Sequence, residues 1–203
     1  MVEDERRRAA DGAYELEWKV YLHDPAAEEL TAALTGAGFE ADDTEKVLVL
    51  DLEEVGPGGF ALPADEVAIR TVSGAAGLQD VARISTLLGR SDVAAETSRL
   101  AGLLAAGTVS IHVAYLAGEP VSCGRLHYGV TASVAELAGG RTVPAHRNRG
   151  LFTAVVRHRL DEAVEAGRRW VFVDALPTSE PILTGRGFVT VSETRPYLWE
   201  NAG

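Results

Sequence analysis

Two periods run through this chain. In "TVSIHVAYL" the apolar residues Val109, Ile111, Val113 and Tyr115 fall on every second position, which predicts a strand with one buried face. After the turn "AGEP", "VSCGRLHYG" reads as a returning strand, so the pair predicts a hairpin. "ASVAELAGGRTVP" predicts a further strand interrupted by Gly139 and Gly140. Adjacent glycines inside a strand mark a bulge or the close approach of backbone or ligand. "RRWVFVDA" is almost continuously apolar, as expected of a strand buried on both faces. Between these two strands Phe152, Val155, Val156, Leu160, Ala163 and Val164 recur at helical spacing. They predict a helix over 150–166, closed by Gly167. Strand, helix and buried strand make a βαβ crossover, so part of the sheet is expected to be parallel.

Upstream, "DEVAIRTVSG" predicts a strand, followed by helices in "LQDVARISTLLG" and "SDVAAETSRLAGLLAAG", the second with Ser91 or Asp92 as N-cap. Downstream, "TSEPILTGRGF" reads as a short helix and its exit, and "VTVSETRPYLWE" as closing strand. Near the start, "YELEWKVYL", "PAAEELTAALTGAG" and "KVLVLDL" predict strand, helix and strand. "MVEDERRRAADG" has no apolar period, and "EEVGPGGFALP" is rich in proline and glycine. The expected division is a flexible tail over 1–12, a strand–helix–strand unit over 13–54, a linker over 55–64 and a main domain over 65–203. "LTGAGF" (Leu34 to Phe39) returns as "LTGRGF" (Leu183 to Phe188), each after a Trp-led strand. This is either an internal repeat or a chance likeness around a glycine helix exit.

The composition, 46% hydrophobic and 24% charged over 203 residues, is that of a folded protein of one domain with an appended unit. The net charge of -11 argues against nucleic acid as partner, which needs a basic face. It permits a cationic partner, or serves solubility alone. Cys123 is the single cysteine, so neither an intrachain disulfide nor a multi-cysteine metal site is expected. The first twenty residues lack the apolar core of a signal peptide, and no apolar run reaches membrane length. The expectation is a cytoplasmic protein, with no membrane partner and no metal.

The stretch "VPAHRNRGLFTAVVRHRL" opens its helix with Arg147, Arg149 and Gly150. Cations are unfavourable at the positive end of a helix dipole unless an anion completes the site. A strand running into a glycine-bearing helix start presents free N–H groups that bind phosphate oxygens, and the two arginines add charged bonds. No GK[ST] and no GxGxxG follows, so neither a nucleotide P-loop nor a dinucleotide fold is indicated.

The arrangement resembles the GNAT superfamily of acyl-CoA-dependent N-acyltransferases. Its hallmark [QR]-x-x-G-x-[GA], after a strand reading V-x-P, is met here by Arg147 and Gly150, with Phe152 where Gly or Ala is usual. The likeness spans roughly Val67 to Glu200 in element order and includes the late "GRGF", similar to the family's L-G-F. It implies a central mixed, largely antiparallel α/β sheet flanked by helices, with acetyl-CoA as cosubstrate and a primary amine as acceptor. The amides of Asn148, Arg149, Gly150, Leu151 and Phe152, with Arg147 or Arg149, would then hold the CoA pyrophosphate. The backbone of Thr142 and Val143 would pair with the pantetheine arm in a gap beside the central strand.

In that family a strand glutamate at the place of Glu136 activates the amine; the competing reading is an outward glutamate paired with Arg125 or Arg141. The family's general-acid tyrosine position holds Leu183, leaving Tyr128, Tyr197, Ser179 or solvent as donors. His112 and His127, on adjacent strands, are expected to meet across the hairpin, His146 to neighbour the loop, and His158 to ride the exposed side of the helix. Two functions remain open: an N-acetyltransferase working by direct attack in a ternary complex, and a CoA-binding module without turnover. For the N-terminal unit, covering a sheet edge or forming a homodimer contact are both open.

Overall fold

The computed structural model describes residues 1–12, 15–55, 59–60, 67–129 and 131–199. Along the chain these form α1 (Val2–Gly12), β1 (Leu16–Tyr21), α2 (Ala27–Gly36), β2 (Glu40–Ala41), β3 (Glu45–Asp51) and β4 (Val67–Thr71). Then come α3 (Ala75–Leu87), α4 (Val93–Ala105), β5 (Val109–Leu116), β6 (Glu119–Tyr128) and β7 (Val134–Thr142). A 3₁₀ turn (Pro144–His146) leads into α5 (Leu151–Glu165), β8 (Trp170–Ala175), α6 (Glu180–Thr184) and β9 (Val189–Trp199). The fold is mixed α/β with mostly antiparallel pairing. Of the expected linker over 55–64, only Val55, Gly59 and Phe60 fall among the described residues.

The chain forms two compact units: Met1–Leu48 with Asp174–Thr184 and Val189–Gly203, and Val49–Val173 with Gly185–Phe188. In the smaller unit β1 runs antiparallel to β9, from Leu16 opposite Trp199 to Tyr21 opposite Thr194. Val20, Leu34, Phe39 and Tyr197 close its core. The expected strand–helix–strand segment over 13–54 therefore has the last strand of the chain as partner. The residues before that segment correct the sequence reading, because α1 (Val2–Gly12) replaces the expected loose tail over 1–12. Glu3 with Arg6 (3.0 Å) and Glu5 with Arg8 (2.7 Å) pair at i,i+3, and acidic residues fill the first turn. Such exposed pairs contribute only tenths of a kcal/mol. The anchor is burial of Ala9 and the bond from Arg6 to the Ala37 carbonyl at 2.9 Å.

In the larger unit the strand order is β8-β7-β6-β5-β4. Alternation along β5 sends Ile111 and Val113 to the face covered by α3 and α4, where they meet Leu78, Val81, Ile84 and Leu100. It sends His112 to the face covered by α5. The predicted helix over 150–166 is observed as α5, with Gly150 as N-cap at φ 76° and Gly167 just past the end at φ 70°. Its buried arc differs from the predicted stripe: Val164 is 46% exposed, while Leu151, Thr153 and Arg159 face the sheet. Each fully buried leucine or valine of that arc stabilises by roughly 1.5–3 kcal/mol, so α5 is held by packing on the sheet.

Candidate active site

β7 and β8 pair in parallel only at Val134–Trp170, Ala135–Val171 and Glu136–Phe172. Past Glu136 their pairing ends, although β7 continues to Thr142 along β6. The register explains the divergence. Cys123 lies opposite Arg141 but Arg125 lies opposite Ala138, so Gly139 and Gly140 face the single Gly124 in a bulge. Gly139 adopts φ 57°, a region that disfavours side chains. A Cβ there would stand 2.7 Å from Arg125 Cζ, one on Gly140 would stand 2.9 Å from the Phe152 ring, and one on Gly124 would stand 2.7 Å from Arg159 Cζ. The glycines thus make room for two guanidinium groups and an aromatic ring.

Arg159, 1% exposed, donates from Nη1 to the Arg125 carbonyl (2.9 Å) and the Ala138 carbonyl (3.3 Å), and from Nε to the Val155 carbonyl (3.2 Å). It satisfies backbone acceptors where the bulge interrupts the ladder. Burial, with the nearby Arg125 charge, lowers its pKa to about 10, so it stays charged at neutral pH.

The loop after β7 places the predicted phosphate-binding residues at the start of α5. Asn148 is left-handed (φ 60°), as is Gly150, and neither a side-chain cap nor a first-turn acid occupies the helix N-terminus. Arg147, Asn148, Arg149 and Gly150 are exposed. Helix starts leave their first N–H groups without intrahelical partners, here those of Leu151 and Phe152. Arg147 Nε donates to the Thr142 carbonyl at 3.3 Å. Val143 is engaged on both sides, its N–H bonding the Val121 carbonyl and its carbonyl the His146 N–H, each at 2.9 Å. The Phe152 ring lies beside Gly140, which explains why a bulky residue is tolerated next to the loop.

Glu136 is half-buried, opposite His127 on β6 and therefore on the α3/α4 face. Arg125 and Arg141, the partners suggested for it by the surface-charge reading, both reach Glu96 of α4. Glu96 Oε1 lies 2.6 Å from Arg141 Nη2 and 3.3 Å from Arg125 Nη1, and Oε2 accepts from Ser85 Oγ at 3.1 Å. Burial works against the Glu96 charge, but Arg141 and Ser85 hold its carboxyl below the usual range.

His112, His127 and His158 depart from expectation, while His146 adjoins the loop. His127 lies opposite Val109 and His112 opposite Gly124, three positions along β5, so the two point to opposite faces and do not meet. The fully buried His112 donates from Nε2 to Glu162 at 2.8 Å, with Ser110 Oγ at 3.0 Å, and its Nδ1 lies 3.3 Å from Thr71 Oγ1. Burial depresses the His112 pKa, so the ring is neutral at pH 7, and the Glu162 carboxylate, which can only accept, sets its proton on Nε2. Instead of riding free, His158 packs edge-on against His112 at 4.9 Å and, with Thr71, Asp161, Glu162 and Glu165, lines an open pocket of about 300 Å³. His146 is half-buried, with Nδ1 unpartnered.

Of the donor candidates, Tyr128 bonds Glu162 and Tyr197 bonds Thr31 Oγ1 at 3.3 Å. Ser179 Oγ donates to the Leu176 carbonyl at 3.1 Å, and Leu183 is a buried core residue. Cys123 is buried, and burial raises its thiol pKa. Among the described residues, no helix is long and apolar enough to cross a membrane, and no three His, Cys, Asp or Glu side chains converge as metal ligands.

No family model and no curated protein matches the sequence. Solved structures do. A functionally unknown conserved protein from Staphylococcus epidermidis superposes with a TM-score of 0.70 at 16% identity, over 98% of this chain and 78% of that one. A tandem GNAT protein from the clavulanic acid biosynthesis pathway, solved without AcCoA, gives 0.68 at 15% identity, over 98% and 68%. A GCN5-related N-acetyltransferase from Kribbella flavida gives 0.64 at 18% identity, over 100% and 74%. The chain has the GNAT superfamily fold.

Proposed function

We propose that the chain is an N-acetyltransferase that moves the acetyl group of acetyl-CoA to a primary amine by direct attack in a ternary complex. The observation that carries this is the loss of pairing between β7 and β8 just past Glu136, in the same strand that feeds an uncapped, arginine-flanked helix start. The residues present fit CoA. The amides of Asn148 to Phe152 and the charges of Arg147 and Arg149 suit its pyrophosphate. With Val143 engaged on both sides and the Thr142 carbonyl accepting from Arg147, the Thr142 N–H is the backbone group that suits the pantetheine arm.

Glu136 then stands at the mouth of the gap, where it takes a proton from the acceptor nitrogen directly or through one water. The neutral amine attacks the thioester carbonyl carbon, the new C–N bond forms as the C–S bond breaks, and the remaining surplus proton on nitrogen passes through solvent to the departing thiolate. Leu183, at the usual acid position, offers none.

Glu136→Gln is expected to lower kcat by roughly 10²–10⁴-fold and remove the acidic limb of the pH–rate profile, with CoA affinity intact. An unaltered profile would return Glu136 to a surface role. Acetyl-CoA binding without turnover across an amine panel, read by mass spectrometry, would instead favour the CoA-binding module, the reading prompted by Leu183 and Phe152.

A further inference from the structure

The protein carries a net charge of -11, yet the sheet face that holds Glu136 is locally cationic. Arg125 and Arg141 project from β6 and β7 to this face, and Arg99 of α4 acts electrostatically on both Arg125 and His127. One buried carboxylate, Glu96, stands among them, and it is engaged by Arg141 at 2.6 Å and by Ser85 at 3.1 Å. Arg90 also acts on Glu96 but closes on Asp92 at 2.6 Å. Among the described residues, the guanidinium groups of Arg99, Arg125 and Arg141 stand with the carboxylates of Glu96 and Glu136.

Of the two arginines on the strands, Arg125 is the less compensated. Its side chain is 13% exposed, its contact to Glu96 is the longer one at 3.3 Å, and its buried Nε has no partner. Burial, Arg99 and Arg141 all work against its charge. An arginine does not escape by losing its proton, so a desolvated guanidinium in this setting favours an anion. The bulge holds it in place, because Arg125 Cζ occupies the space that a Cβ on Gly139 would need.

Register sets the spacing. Arg125 faces Ala138 and Glu136 faces His127, so Arg125 and Glu136 are diagonal neighbours about 7–8 Å apart at the backbone. A small molecule with an amine and an acid group a few bonds apart spans that distance, once the arginine's own reach is counted. A polyamine would bring further positive charge against Arg99 and Arg125.

We infer that the acceptor is an amino acid or a closely similar amine bearing a carboxylate, its amine at Glu136 and its carboxylate read by Arg125 and Arg99. The inference rests on the acetyltransferase reading and narrows it.

The test is a panel of matched acceptors, each amino acid beside its primary amide and its decarboxylated amine, with calorimetry for acetyl-CoA run in parallel. The acid is expected to exceed its amide in kcat/KM by about 10- to 100-fold, the range of a charged hydrogen bond. In Arg99→Gln, at an exposed position, the KM for the acid is expected to rise about tenfold and the acid-to-amide ratio to collapse, with acetyl-CoA affinity unchanged. Arg125→Lys, which keeps the charge but loses the planar fork, is expected to narrow the ratio less.

Equal or better use of amides or polyamines overturns the inference while leaving the acetyltransferase reading standing. Loss of acetyl-CoA affinity in Arg99→Gln also overturns it, by making a CoA phosphate the anion. If the unmodified protein fails to bind acetyl-CoA, both readings fall together.

Discussion

Replacing Glu162 by glutamine keeps the side chain's shape and removes only its charge. In the native structure that carboxylate accepts from His112 Nε2 at 2.8 Å, from the Tyr128 hydroxyl and from Ser110, with 24% of the side chain exposed. Burial opposes the charge, but these donors bring the carboxyl from 4.5 down to about 2. At about 1.4 kcal/mol per pKa unit, the ionised form gains about 3 kcal/mol on folding. A second route agrees: three charge-assisted bonds become neutral ones, each losing about 1 kcal/mol. Because the His112 ring is neutral at pH 7 and contributes a dipole instead of a full charge, this figure is a ceiling.

The sign of the pH dependence follows from which state binds the proton first. As pH falls below 4.5 the unfolded chain protonates Glu162 before the folded one does, so its stabilisation is complete above 4.5 and is lost toward 2. His112, also depressed, contributes stability above 6.5 that declines below it, in a separate window. Denaturant unfolding followed by circular dichroism at several pH values compares native protein with Glu162→Gln, so that the other carboxylates cancel. The gap is expected to be at most about 3 kcal/mol at pH 6 and to close toward pH 2. A gap that stays constant with pH, or is under about 0.5 kcal/mol at pH 6, would refute the charge-based account.

Two further perturbations probe the gap and the loop beside it. Arg147→Ala is expected to weaken CoA binding by about 10- to 100-fold in calorimetry, as for one lost charged hydrogen bond; equal affinity would move the phosphate site elsewhere. Gly139→Ala combines left-handed strain with the 2.7 Å clash on Arg125, and about 2 kcal/mol of stability is expected to go. In an Arg125→Ala background the steric part should vanish, and a double-mutant cycle with no coupling would show that Arg125 does not crowd Gly139.

The βαβ crossover was legible because both of its signals are local: helical spacing over 150–166, and adjacent glycines where the bulge forms. The order of helices and strands that carried the likeness to the GNAT superfamily is local in the same sense. What stayed hidden depends on partners far apart in the chain. Arg159 sits in the apolar arc of α5, where one arginine reads as a side chain reaching out to solvent; only the carbonyls of Arg125 and Ala138 reveal why it is buried. Glu96, inside an ordinary helical pattern, is assigned by Arg141, 45 residues later. The helix at the N-terminus escaped because its stabilising features are i,i+3 ion pairs and one buried alanine, which leave no apolar stripe to count.

The pairing of β1 with β9 has a consequence in time. Tyr21 meets Thr194, a partner synthesised 173 residues later. At about 5–20 residues per second, β1 waits roughly 10 to 35 s for that strand while the segment between them is translated. Throughout that interval its unpaired edge is a template for other extended chains. The smaller unit thus cannot close before β9 is made, and slowing translation of the codons between these two strands would lengthen the exposure of β1.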